Sequence, residues 1–325
     1  MMRSLFAAAL AAGFTLAAVP ASAQQFPSRP VTVVVPFAAG GPTDTVARSV
    51  AAGMEKVLGQ AVIVENKPGA GGTLGADNVA KAAPDGYRVL VWHIGMSTSP
   101  ALYRRLPFDP LKDFEYVGLI NDVPMTLLVR PSHPSKNLAE LVTWAKANAD
   151  KATLANAGLG AASHLCGLMF QQAIGTQLVT VPYKGTAPAL ADLMGNQVDV
   201  LCDQTTNTTP QIKGGRVRAL ALTSPSRLAS LPDVPTAAEG GLQGFELGIW
   251  HGMYAPKGTP RPVVDKLVSA MQAALASPAV KNRFAELGSV IYPVAQQTPE
   301  ALQKHLKAEI DKWGPVIRKA GVYAD

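Results

Sequence analysis

Two glycine-rich segments, each between a strand-like run and a helix-like run, hold the residues best suited to chemistry. The first is Pro36-Phe37-Ala38-Ala39-Gly40-Gly41-Pro42-Thr43-Asp44. A turn of this kind leaves the first N–H groups of the next helix unpartnered and close to anything that docks there. Those groups and the positive end of the helix dipole together make an anion site. Asp44 falls in the first helical turn, where an acid stabilises the helix end. It can equally cap the helix, organise the loop or meet a cationic group of a ligand. The second segment is Asn156-Ala157-Gly158-Leu159-Gly160-Ala161-Ala162-Ser163-His164. Ser163 is placed as an N-cap hydroxyl or a ligand donor. His164 can donate a hydrogen bond to a ligand or serve the structure. If the two loops face each other across a cleft, they form two anion poles suited to a dicarboxylate, or to a carboxylate with another polar end.

A phosphate guest fits poorly. A P-loop needs G-x-x-x-x-G-K-[ST], and the lysine is missing. A dinucleotide fingerprint needs G-x-G-x-x-G, and in Gly69-Ala70-Gly71-Gly72-Thr73-Leu74-Gly75 the third glycine's place is taken by Leu74. A carboxylate is the natural guest. The backbone N–H groups of Phe37, Ala38, Ala39, Gly40 and Gly41, with Thr43, would hold one end. Those of Ala157, Gly158, Gly160 and Ala161, with Ser163 and His164, would hold the other. Ser97 and Thr98 follow a strand and could reach the cleft. Lys184 could pair with an anion or stay solvated, and Asp203 could accept a hydrogen bond. Trp92 and Trp250, each followed by a histidine at a strand end, could floor a pocket; core packing is the competing reading of each indole.

Catalysis finds little to work with. The five histidines have no metal-ligand spacing, and H-E-x-x-H, C-x-x-C and G-x-S-x-G motifs are absent. No catalytic residue, metal or cofactor is expected.

These loops must be positioned by an alternation of strands and helices. Strand-like runs are Val31–Val35, Ala61–Glu65, Arg88–Trp92, Tyr116–Ile120, Met125–Arg130, Thr153–Ala155, Gln177–Val181, Val198–Leu201, Arg218–Thr223 and Gly248–Ala255. Helix-like runs are Thr43–Leu58, Leu74–Ala83, Leu138–Asn148, His164–Ile174, Thr186–Met194, Arg261–Ala276 and Pro299–Ala320. The alternation predicts an α/β fold with mostly parallel sheets.

Bulk properties narrow the setting. Met1 to Ala23 has a basic start, an apolar stretch and an Ala-Ser-Ala end, which reads as a signal peptide cleaved before Gln24. The remaining length exceeds one ordinary core and predicts two lobes. A net charge of +6, scattered without basic runs, suits capture of small anions rather than nucleic acid. Cys166 and Cys202 could form one bridge in an oxidising compartment; the sequence leaves this open.

Several segments together resemble a known family over essentially the whole mature chain. They are Pro36–Asp44, Asn66-Lys67-Pro68-Gly69-Ala70-Gly71-Gly72, Pro84-Asp85-Gly86-Tyr87, Gly158–Leu165, Val181-Pro182-Tyr183-Lys184-Gly185, Leu231-Pro232-Asp233-Val234-Pro235-Thr236 and Ala255-Pro256-Lys257-Gly258-Thr259-Pro260. In these the chain resembles the periplasmic solute-binding proteins of tripartite tricarboxylate transporters, the Bug family. The resemblance implies a two-lobed periplasmic binding protein fold (type II-like) with the ligand cleft between lobes. It also implies docking on membrane transporter subunits. A ligand carboxylate would be held at Pro36–Asp44, partly through ordered water, with Ala157–His164 contributing from the other lobe. Family ligands are organic acids: dicarboxylates, acidic amino acids, nicotinate and aromatic carboxylates. Thr180 stands where many members carry histidine, and Cys166 and Cys202 replace small or apolar residues.

The resulting expectation is a non-catalytic, monomeric periplasmic receptor for an organic carboxylate, a dicarboxylate or aromatic carboxylate being favoured. Lobe 1 is expected over 24–124 plus 249–325, and lobe 2 over 125–248. Two other readings stay open: a ligand-sensing partner of a signalling receptor and an exported enzyme acting on an organic acid.

Overall fold

The computed structural model describes residues 26–324; the signal peptide expected over residues 1–23 lies outside the described residues. In β1 (Val31–Val35) four of five side chains are buried, as a β-branched run covered on both faces requires. In α1 (Pro42–Leu58) Pro42 sits at the start, where a missing N–H costs nothing, and Gly59 in the left-handed region ends the helix. Its stripe Val46, Val50, Met54 and Leu58 is buried, each fully buried side chain contributing roughly 1.5–3 kcal/mol.

β2 (Val62–Asn66), a 3-10 turn at Ala70–Gly72, α2 (Thr73–Ala80), β3 (Arg88–His93) and α3 (Gly95–Leu102) follow. β4 (Phe114–Val129) is one 16-residue strand where the sequence reads as two. After it come α4 (Leu138–Ala147), β5 (Thr153–Asn156), α5 (Ala162–Ile174), β6 (Val179–Pro182), α6 (Thr186–Met194), β7 (Val200–Gln204), α7 (Thr205–Lys213) and β8 (Arg218–Leu222). The chain ends with β9 (Gly248–Pro256), α8 (Arg261–Ala276), α9 (Pro278–Glu286), β10 (Val290–Ile291) and α10 (Pro299–Ala320).

Three helices escaped the sequence reading. α3 contains Pro100 and α7 contains Pro210 and four threonines, all poor helix formers. Burial of Thr205, Thr206, Thr208 and Thr209 overrides that propensity in α7. In α9 the signal was present: the Ser277 side chain caps the helix by accepting from Val280 N.

The strand order is β2-β1-β3-β9-β4-β7-β5-β6, with β10 and β8 also paired to β4. The expected parallel pairing holds in the outer parts, where β1 pairs with β2 and β3, and β5 with β6 and β7. It fails in the centre, where β9 and β4 run antiparallel to their neighbours. The cause is the way the chain crosses. β4 pairs with β9 along Phe114–Pro124, then with β7 and β8 along Met125–Val129, so a strand rather than a crossover helix joins the halves. The result is a two-lobed α/β binding-protein fold in which the carboxyl ends of β1–β3 look toward those of β5–β7, the usual ligand position in open α/β sheets.

A disulfide joins Cys166 of α5 to Cys202 of β7, both fully buried, with Cα atoms 6.1 Å apart. Among the described residues no helix is long and apolar enough to cross a membrane.

Candidate functional site

The loop after β1 is built by Asp44. Its Oδ2 accepts from Gly40 N (2.9 Å) and Arg48 Nε (2.8 Å), and its Oδ1 from Asn66 Nδ2 (2.9 Å). Asn66 also donates to Phe37 O (3.0 Å), so the end of β2 clips the loop down. Burial alone would raise the Asp44 pKa; the bonds from Arg48, Gly40 and Asn66 outweigh it and hold the carboxyl below its ordinary value. Asp44 is therefore the loop's organiser. No side chain caps α1, which leaves the Thr43 and Asp44 amides without intrahelical partners.

A second helix meets α1 end to end. Ala38 N donates to Lys184 O across the cleft (2.9 Å). Gly185, at φ +147, allows the approach: a Cβ there would sit 3.0 Å from Ala38 N. A Cβ on Gly41 would lie 3.9 Å from both Ala187 N and Thr186 Oγ1, so the amino ends of α1 and α6 are apposed. α6 has no side-chain cap either. Two positive helix ends thus converge from opposite lobes.

The loop after β5 differs from expectation. Four of its amides are satisfied within the loop: Ala157 N bonds Ser163 Oγ (2.7 Å), Gly158 N bonds Asn156 Oδ1 (2.8 Å), Gly160 N bonds His164 Nδ1 (3.2 Å) and Ala161 N bonds Gly158 O (3.1 Å). These bonds engage the Ala157, Gly158, Gly160 and Ala161 amides that the sequence offered to a carboxylate, as the bonds to Lys184 O and Asp44 engage those of Ala38 and Gly40. What stays available is the uncapped first turn of α5 and the Ser163 hydroxyl hydrogen, because Ser163 Oγ is the acceptor in its own loop. His164 keeps its Nδ1 as an acceptor, so the proton resides on Nε2; burial lowers its pKa to about 4.

Further polar and aromatic side chains are buried behind these loops. Thr43 Oγ1 lies 3.3 Å from His251 Nε2, and His251 meets His93 edge to face at 5.9 Å. Phe37 stacks on His93 at 4.9 Å. Burial drives His93 down to about 3 and His251 well below its usual value, so both imidazoles are neutral. Ser97 donates to Ile94 O (2.7 Å), while Thr98 Oγ1 reaches Gly160 O across the cleft (3.3 Å). Asp203, at the end of β7, accepts from Gln204 N and Asn207 Nδ2; burial nevertheless pushes it up to about 6. Thr186 Oγ1 lies close enough to favour ionised Asp203, without making a hydrogen bond of full geometry. Among the described residues, buried polar atoms without partners include Trp92 Nε1, Ser99 Oγ, Gln204 Oε1, Thr206 Oγ1 and His251 Nδ1. Positive potential here comes from helix ends, not from a buried lysine or arginine.

The rim is a groove of about 620 Å³ between Gly69–Gly71 and Tyr103 on one side and Ala157–Leu159 and Lys184 on the other. Tyr103 Oη donates to Leu159 O (2.9 Å) across it. The Lys184 side chain is exposed on this rim; its carbonyl, not its ammonium, makes the bond between lobes. Trp92 lies buried under Gly72 and Gly95. Trp250 does not join the site. Strand alternation turns His251 toward α1 and Trp250 toward α10, where its Nε1 donates to Glu309 (3.2 Å). The sequence reading also missed the α6 end, Asn66, His93, His251 and Tyr103. Tyr183-Lys184-Gly185-Thr186 was the available signal for α6, a third strand–glycine–helix unit.

Comparison with known proteins agrees with this fold. The family model described as "Tripartite tricarboxylate transporter family receptor" matches residues 46–322. The periplasmic binding protein BugD is 56% identical, with a TM-score of 0.90 over 92% of this chain and 99% of its own. MatC of Rhodopseudomonas palustris, solved with bound malate, is 43% identical, with a TM-score of 0.87 over 90% and 100%. A further R. palustris protein, solved with adipate, is 34% identical, with a TM-score of 0.86 over 92% and 99%.

Proposed function

The chain belongs to the tripartite tricarboxylate transporter family of receptors, periplasmic solute-binding proteins, and from that premise we propose that it captures a small aliphatic dicarboxylate. One carboxylate sits between the amino ends of α1 and α6. The other meets the first turn of α5 with the Ser163 hydroxyl. The observation that carries this reading is the apposition of the α1 and α6 ends, both uncapped. A helix end contributes up to about 2 kcal/mol toward an anion in partly buried geometry, so two contribute up to about 4 kcal/mol. Malate in MatC and adipate in the second R. palustris protein support a dicarboxylate of four to six carbons. An aromatic acid has less support, because Trp250 lies on the α10 side of the sheet.

The lobe crossings are taken at 124/125 on β4 and 248/249 on β9, giving lobes of 24–124 plus 249–325 and 125–248. Change of sheet partner at Pro124/Met125 supports this division. The receptor is proposed to act in the periplasm as a monomer and to hand its ligand to membrane transporter subunits. Titration calorimetry with malate, adipate and their diamides tests the ligand class. Micromolar binding of a diacid with no heat from its diamide is expected. Diamides binding as tightly as the acids, or no diacid binding, would overturn the proposal.

A further inference from the structure

On the face of the sheet opposite the clamp, a cavity of about 500 Å³ lies between α10 and both chain crossings. Asp122, Pro124, Gly248 and Trp250 border it from β4 and β9; Tyr292, His305, Glu309 and Trp313 border it from the carboxyl-terminal segment. Glu309 Oε2 accepts from Trp250 Nε1 (3.2 Å) and Trp313 Nε1 (2.8 Å), fixing both indole planes. His305 stands edge-on to Trp250 at 4.8 Å, its Nε2 buried without a partner. Asp122 Oδ2 receives a long bond from Tyr292 (3.4 Å). Burial, reinforced by the charge of Glu309, pushes this carboxyl up despite that bond and the nearby Lys312. Lys312, the cation on this wall, is ion-paired to Glu309 at 3.6 Å.

We propose that this cavity is a second small-molecule site and that it takes a small organic ammonium ion. An ammonium has N–H donors for both Asp122 and the unpartnered His305 Nε2, which a carboxylate or a neutral apolar molecule does not. Indole faces attract cations, and Lys312 Nζ already stands 4.9 Å over the Trp313 ring at the cavity wall. Asp122, Glu246 and Glu309 repel an anion, so the acids captured at the clamp are excluded here. The two sites thus take ligands of opposite charge, and either can exist without the other.

The probe is benzylammonium chloride, with benzyl alcohol as its neutral counterpart, titrated into the protein while tryptophan fluorescence and heat are followed. Saturable binding of benzylammonium in the millimolar range or tighter, with none for the alcohol, is expected. Asp122→Asn should weaken it about tenfold. Lys312→Ala, on an exposed side chain, removes the competing ammonium and should tighten it severalfold; it serves where Asp122→Asn does not fold. Absence of saturable binding, equal binding of the alcohol, undiminished affinity in folded Asp122→Asn, or unchanged or weaker affinity in Lys312→Ala would each overturn the proposal.

Discussion

Gly71→Ala is the sharpest probe of how the lobes meet. Gly71 has φ +61, and a Cβ built there falls far inside contact distance of the Leu159 carbonyl oxygen on the opposing lobe. It would also lie 2.8 Å from Tyr103 Oη, which itself donates to Leu159 O at 2.9 Å. Two costs follow, and they act on different states. The left-handed backbone costs alanine roughly 1–2 kcal/mol whether the cleft is open or closed, so it shows in stability and cancels from ligand affinity. The clash exists only with the lobes together. Forcing the loops apart loses the Tyr103 bond, about 1 kcal/mol, and adds overpacking of about 1–3 kcal/mol. The sum, about 2–4 kcal/mol, corresponds to a loss of affinity of roughly 30- to 1,000-fold. Calorimetry with the tightest diacid gives the affinity, and small-angle scattering at saturating ligand gives the compactness. Tyr103→Phe, which removes the hydrogen bond without adding bulk, should cost about fivefold. Gly71→Ala binding within threefold of the parent protein, with an equally compact bound state, would refute the argument that this contact belongs to the ligand-bound form.

Other consequences follow from the same geometry. Asp44→Ala frees the Gly40 amide and Asn66 from their acceptor and should cost about 1–3 kcal/mol by urea denaturation, with the half-exposed Arg48 pair counting little. Because the folded pKa of Asp44 is depressed, its contribution is present above the unfolded value near 4 and disappears as pH falls through the folded value. Asp203 has the opposite sign. Its folded pKa is raised to about 6, so the stability it contributes is full below about pH 4 and is lost as pH rises through 6. Asp203→Asn should therefore reduce the fall in thermal midpoint between about pH 4 and 6.5; an unchanged fall would count against a buried, proton-holding Asp203. Finally, the Cys166–Cys202 bond closes a separation of 36 residues, and Cys166→Ala with Cys202→Ala should cost about 4 kcal/mol on chain-entropy grounds. A loss below about 1 kcal/mol would mean that packing alone holds α5 on β7.

Much of the frame was legible because it depends on local order. Val31–Val35 announces a buried strand by composition, and the helical stripe from Val46 to Leu58 announces α1 by period; the structure has both. Helices α3 and α7 were not legible, because their prolines and threonines deny the local propensity that burial later overrides. The two-strand reading of β4 failed for a related reason. Asn121, Asp122 and Pro124 look like a break, yet pairing with β9 carries the strand through them.

The site divides in the same way. Sequence by itself determined that strand–glycine–helix units are present and that their helix ends can favour an anion, since turn chemistry and dipole direction need only neighbours along the chain. Tertiary structure alone decided which donors remain for a ligand. Asp44 and Ser163 consume the Gly40 and Ala157 amides, and strand alternation turns Trp250 away while bringing His251 in. Only the meeting of the lobes sets the α6 end against the α1 end, with Lys184 O on Ala38 N. The bond of Lys184 O to Ala38 N and the meeting of Thr43 with His251 join residues more than a hundred positions apart. No periodicity or spacing along the chain encodes such a distance.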